Sequence, residues 1–110
     1  MDINVRRRDD VTILDVRGKI TIGGDLALRE AIQNALKGDA KKLVVNLQNV
    51  TTIDSSGVGE LVGSYTSAKN HGATLKLVNL PPKVQDVLTI TQLITVFDVY
   101  DTEEEAVRSF

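Results

Sequence analysis

The segment Leu43-Val44-Val45-Asn46-Leu47 constrains the fold more than any other part of the chain, because its side chains are almost all aliphatic. A strand with one solvated face alternates apolar and polar residues, so an unbroken run requires apolar cover on both faces. That is the setting of a central parallel strand. Parallel neighbours in turn need crossover connections, which carry helices onto the sheet.

The flanking sequence supplies those pieces. Ile3 to Arg8 and Val11 to Arg17 are β-favouring runs separated by Asp9-Asp10. That pair suits a tight hairpin, since Asp tolerates the left-handed conformation. Arg6-Arg7-Arg8 is offset by the Asp pair and falls on an edge strand, where charge discourages strand-to-strand aggregation. Gly18 punctuates, Lys19 to Ile22 continues as a short strand, and Gly23-Gly24 breaks it. Asp25 reads as a helix N-cap, with Leu28, Ala31, Ile32, Ala35 and Leu36 following at helical spacing and Gly38 closing the helix.

After the central run comes Val50 to Asp54, then a second helix from about Ser56 to Asn70 with Val58, Leu61, Val62, Tyr65 and Ala68 as its apolar stripe. Leu75 to Val78 is a further strand. Pro82 opens a short helix at the position where its missing N–H does no harm, and Val84, Val87 and Leu88 form that helix's buried side. Val96 to Tyr100 is the last strand, and Thr102-Glu103-Glu104-Glu105 is a capping box for a final helix anchored by Val107 and Phe110. The expected fold is α/β: one domain over residues 1–110, a small mixed sheet with parallel central strands covered by about four helices.

Composition narrows the function. A chain of 110 residues with 42% hydrophobic and 25% charged residues and a net charge of -2 is of the soluble globular class. At this length about two-thirds of the unfolded surface is buried on folding, so a core is feasible without staples. The absence of Cys excludes disulfides, thiol nucleophiles and thiolate metal sites, and the single His excludes histidine-clustered zinc. Neither a metal nor a cofactor is expected. No apolar run reaches membrane-spanning length, and Met1-Asp2-Ile3-Asn4 lacks a secretory pattern, so a cytoplasmic protein is expected. The slightly acidic balance gives no reason to expect nucleic-acid binding.

The segment that draws chemical interest is Asp54-Ser55-Ser56-Gly57-Val58-Gly59, at a strand-to-helix junction. Loops at the carboxyl ends of parallel strands are where such folds place binding sites. One helix cap would explain one of these residues, yet two hydroxyls and a carboxylate crowd the turn. The helix also carries Gly57, Gly59 and Gly63, each interior glycine costing about 1 kcal/mol relative to Ala. Gly59, Gly63 and Ser67 recur every four residues and make one smooth ridge, with Ser56, Glu60 and Ser64 as a second row. Because the aliphatic stripe already occupies the core side, the ridge is expected to face an external partner. A catalytic serine is not supported: His71, the only histidine, lies roughly 22 Å along a continuous helix from Ser56. The nucleophile-elbow, phosphate-loop and dinucleotide glycine patterns are all absent. The chain is therefore read as a binding module and not an enzyme.

This junction, with the strand and helix order around it, resembles the STAS domain of the bacterial anti-sigma factor antagonist family. The resemblance covers nearly the whole chain: Val11 to Gly18 is similar to the family's second strand, Leu43 to Leu47 to its central strand, and Asp54-Ser55-Ser56-Gly57-Val58-Gly59 to its signature. It implies a protein that binds an anti-sigma factor serine kinase when unphosphorylated, is released by serine phosphorylation and is restored by a serine phosphatase. The family's acceptor, the serine directly after the aspartate, corresponds to Ser55. Local reasoning agrees: if Ser56 caps the helix, its hydroxyl is engaged while that of Ser55 stays free. Asp54, Ser56, Gly57, Gly59, Glu60, Gly63, Ser64 and Ser67 then form the docking surface. Family members often carry an acidic residue in the turn after the second strand's glycine; Thr21 stands near that place here, with Asp25 as a substitute. The alternative keeps the fold but drops the switch, as a STAS subunit of a stressosome-like or lipid-transport complex. A homodimer is compatible with either.

Overall fold

The apolar run lies at the centre of a five-stranded sheet. In the computed structural model, which describes residues 2–20 and 27–110, it belongs to β3 (Lys42–Ile53), flanked in parallel by β2 (Val11–Ile20) and β4 (Thr74–Val78). An edge strand β1 (Asp2–Arg8) pairs antiparallel with β2, and β5 (Asp98–Tyr100) pairs parallel with β4. Strand order therefore follows chain order. The helices α1 (Ala27–Lys37), α2 (Ser55–Asn70) and α3 (Pro82–Ile90) cover one face, and α4 (Glu103–Arg108) covers the other. This is the mixed sheet with parallel central strands and four helices expected from the sequence.

Both faces of β3 are indeed dry. Leu43, Val45 and Leu47 join Leu14, Leu28, Ile32 and Leu61 on the three-helix side. Val44 joins Val11, Ile13, Val78 and Ala106 under α4. Alternate side chains thus enter two separate cores, which is why the run needs no polar alternation.

Several boundaries differ from the sequence reading. β2 does not stop at Gly18: it continues to Ile20, with Gly18 at φ 100° beside a register shift against β3, a bend glycine accommodates without a Cβ penalty. Val50 to Ile53 is not a separate element but the end of β3, held by continued pairing of Asn49 with Arg17 and Thr52 with Lys19. The last strand is shorter than Val96 to Tyr100, because Leu93–Thr95 forms a 3-10 turn whose final carbonyl bond, from Val96 N–H to Leu93 O at 3.0 Å, takes Val96 out of the sheet. Asp25, Thr21 and the Gly23-Gly24 break lie outside the described residues.

The arginine triplet is neutralised in a different way from that expected. Asp9 makes the hairpin turn at φ 57°, and Asp10 pairs with Lys42 at 2.6 Å. Arg6 instead donates to Asp15 at 2.6 and 3.0 Å and to both carboxylate oxygens of Glu103, and Arg8 donates to Glu103 at 3.1 Å. These bonds tie β1 to the first turn of α4. At the other end of α4, buried Lys76 donates to Ser109 Oγ at 2.5 Å and stands 4.4 Å from the Phe110 ring centroid.

The Arg6 guanidinium, opposed by burial and reinforced by Arg8, holds the Glu103 carboxyl below its ordinary range. A group depressed in the folded state contributes stability above its unfolded pKa and loses it as pH falls through the folded value. Glu103→Gln is therefore expected to cost about 1 kcal/mol at pH 7, after allowance for solvent screening of the exposed arginines. The gap should close below about pH 4, near the ordinary carboxylate value. Urea titrations of both proteins at the two pH values measure this.

Candidate functional site

The junction after β3 builds the site from its capping chemistry. Asp54 is the N-cap of α2: its backbone is extended, its carboxylate accepts from Gly57 N–H at 2.9 Å, and its carbonyl accepts the first helical bond from Val58 N–H at 2.9 Å. The sequence reading considered Ser56 for this cap and started the helix there; the cap is Asp54 and the helix starts at Ser55. A carboxylate at Asp54 reaches the same turn and adds a charge favoured by the helix dipole. Ser55 and Ser56 become the first two helical residues. Both are exposed, and neither hydroxyl makes a hydrogen bond among the described residues. Asp54 itself is anchored to the sheet, its N–H bonding Ile20 O at 3.3 Å.

The glycines of this helix do different jobs. Gly57 is buried, and a Cβ there would sit 1.9 Å from Ile20 O and 2.8 Å from Ile53 Cγ1. Its missing side chain lets the first turn of α2 touch the end of β2, so it holds the junction and is not part of a free surface. Ser64 likewise faces inward, 3% exposed, with its hydroxyl donating to Glu60 O at 2.9 Å. These two residues leave the docking surface assigned from the sequence. Gly59 is the opposite case: it is exposed, and a Cβ there would meet nothing within 4 Å. Alanine at Gly59 is therefore expected to raise stability by about 0.5–1 kcal/mol through helix propensity alone, read as an upward shift in thermal midpoint.

The ridge that remains runs from exposed Ser55 through Gly59 to half-buried Gly63 and Ser67. It is not wholly bare. Arg29 from α1 reaches across, its terminal nitrogen 3.7 Å from where a Gly63 Cβ would stand and its Nε 3.9 Å from Glu60. The Glu60 side chain is 16% exposed, and its Oε2 has no hydrogen-bond partner among the described residues. Sequence reasoning missed Arg29, since nothing in the spacing of α1 residues connects them with α2. His71 caps the far end of the helix, exposed, with Nδ1 2.8 Å from Ser67 O. The unbroken α2 keeps it a helix length away from Ser55. Among the described residues no group of three or more His, Cys, Asp or Glu is gathered to hold a metal ion. None of the described helices is long and apolar enough to cross a membrane.

The family model for the STAS domain matches residues 2–106. The chain is 27% identical over 108 residues to the anti-sigma-B factor antagonist of Bacillus subtilis strain 168, an alignment covering 98% of each chain. Among solved structures, an anti-sigma factor antagonist from Mycobacterium paratuberculosis superposes with a TM-score of 0.87 at 24% identity, over 98% of this chain and 92% of that one. The Bacillus cell fate determinant SpoIIAA, in its phosphorylated form, superposes with a TM-score of 0.73 at 21% identity, over 98% of both chains. At these identities the two structures establish a shared fold.

Proposed function

Since the chain belongs to the STAS domain family, we propose that it is an anti-sigma factor antagonist whose docking on an anti-sigma factor serine kinase ends when Ser55 is phosphorylated and resumes when a serine phosphatase removes the phosphate. The observation that carries this reading is the placement of Ser55. It is exposed, without a hydroxyl hydrogen bond among the described residues, fixed at the head of α2 by the Asp54 cap and the Gly57 contact, and continuous with the open surface at Gly59. The full-length likeness to an anti-sigma-B factor antagonist supports it, as does a phosphorylated form of a protein with the same fold.

The surface suits recognition by a macromolecule. A small-residue ridge brings a partner close to the α2 backbone, while Ser55, Ser56 and Glu60 provide polar groups around its upper end. Asp54 serves this surface indirectly, by fixing the turn. Phosphorylation adds about -1.5 to -2 charges at pH 7. At a helix N-terminus that charge is tolerated, worth about 0.3–1 kcal/mol in its favour, so the modification acts on the partner and not on the fold.

Incubation with the cognate kinase and ATP, followed by mass spectrometry, tests the reading. A single added phosphate localised to Ser55, absent in Ser55→Ala, is the expected result. Phosphate on Ser56 alone, or none, would falsify the assignment.

A further inference from the structure

The β1 edge of the sheet departs from the way exposed edges are normally guarded. Edge strands avoid self-pairing by projecting charge or by being very short. β5 is short, with three residues, but β1 has seven and, among the described residues, pairs on one side only. Two of its three arginines provide little guard. Arg6 and Arg8 are drawn onto the α4 face and neutralised by Asp15 and Glu103. On the α1 face, Val5 is 52% exposed and opens with Ile3, Ala27 and Ala31 onto a groove of about 450 Å³ between β1 and α1.

We propose that this edge is the docking site of a second copy of the chain, pairing β1 with β1 antiparallel about a two-fold axis at Val5. Such an interface is isologous, so each contact occurs twice. The strand is self-complementary in that register. Val5 meets Val5, and Asp2 of one copy stands opposite Arg8 of the other.

The charges beside the groove agree. Asn34 and Ala35 line both clefts, but Ala27, Glu30 and Ala31 line only the groove of Ile3 and Val5, whereas Gly38 lines only the neighbouring cleft of Arg7. The first half of α1 therefore lies beside Ile3, and the second half beside Arg7. The two-fold puts Arg7 of one copy opposite Ile3 of the other, next to its Glu30. Arg7 and Glu30 are both exposed, and neither makes an ion pair among the described residues. A register one residue away would set Val5 opposite Asn4 or Arg6 of the other copy, which project on the α4 side, and would lose both pairings.

Sedimentation equilibrium from about 10 µM to about 1 mM tests this, spanning the affinity range of modest interfaces. The expected result is a monomer–dimer equilibrium in which Val5→Lys, whose exposed position leaves the fold intact by circular dichroism, is monomeric throughout. Arg7→Glu should raise the dimer Kd about tenfold, because two symmetric ion pairs become repulsive, and Arg7→Glu/Glu30→Arg should restore it. A chain that stays monomeric at the highest concentration, or a dimer indifferent to Val5→Lys, overturns the proposal. None of these substitutions touches α2, so either failure leaves the role of Ser55 standing.

Discussion

Gly57→Ala should lower the stability of the chain by about 3 kcal/mol, the upper part of the range for overpacking a close-packed site. For a domain of this size that corresponds to a fall in thermal midpoint of roughly 15 °C. Two terms compete. Alanine gains up to about 1 kcal/mol over glycine in a helix, which would be the whole effect at an open position. At Gly57 the new methyl would stand 1.9 Å from Ile20 O and 2.8 Å from Ile20 C, both backbone atoms of a paired strand. No flexible side chain can give way, so the first turn of α2 must move. That movement would stretch the Asp54 N–H to Ile20 O bond, already 3.3 Å. The steric term therefore wins. Gly59→Ala, two residues on, should shift stability in the opposite direction, and equal melting curves for the two variants would show that the helix–sheet contact is not what fixes this turn.

This pair of glycines also marks how far the sequence could be read. Four-residue spacing identifies which residues of α2 share a row, and the aliphatic stripe identifies one buried side. Neither reveals that the row through Ser64 curls inward, or that Gly57 meets a carbonyl from β2, because those are contacts between elements distant in the chain. The central strand was legible because covering both faces leaves a local mark, the unbroken Leu43 to Leu47 run. Its continuation was not: Gln48 and Asn49 interrupt the apolar pattern, yet pairing with β2 extends the strand to Ile53. The basic triplet was visible, but its partners Asp15 and Glu103 were not, since Glu103 lies 97 residues from Arg6. Ser55 stood out through its neighbours, whereas Arg29 left no local signal. Capping chemistry and periodicity are local; charge pairing across the sheet is not.

Ser55→Glu should weaken binding to the cognate anti-sigma factor kinase by about 100-fold or more, corresponding to roughly 3 kcal/mol, the scale of an unpaired charge desolvated in an interface. Its circular dichroism and thermal midpoint should stay close to those of the parent chain. The asymmetry follows from position. At the first residue of α2 a carboxylate is favoured by the helix dipole by about 0.3–1 kcal/mol, and the exposed Ser55 leaves room for it. The docked state offers no such compensation: the new charge is covered by the partner, beside the carboxylate of Asp54. Ser55→Ala should bind like the parent chain, because it removes a hydroxyl that makes no hydrogen bond among the described residues. Phosphoserine carries more charge than glutamate, so the phosphorylated chain should bind no more tightly than Ser55→Glu. Isothermal titration of the three proteins against the kinase separates the possibilities. If Ser55→Ala is as impaired as Ser55→Glu, the hydroxyl itself is a docking contact and charge is not the switch; if Ser55→Glu binds normally, the partner docks elsewhere.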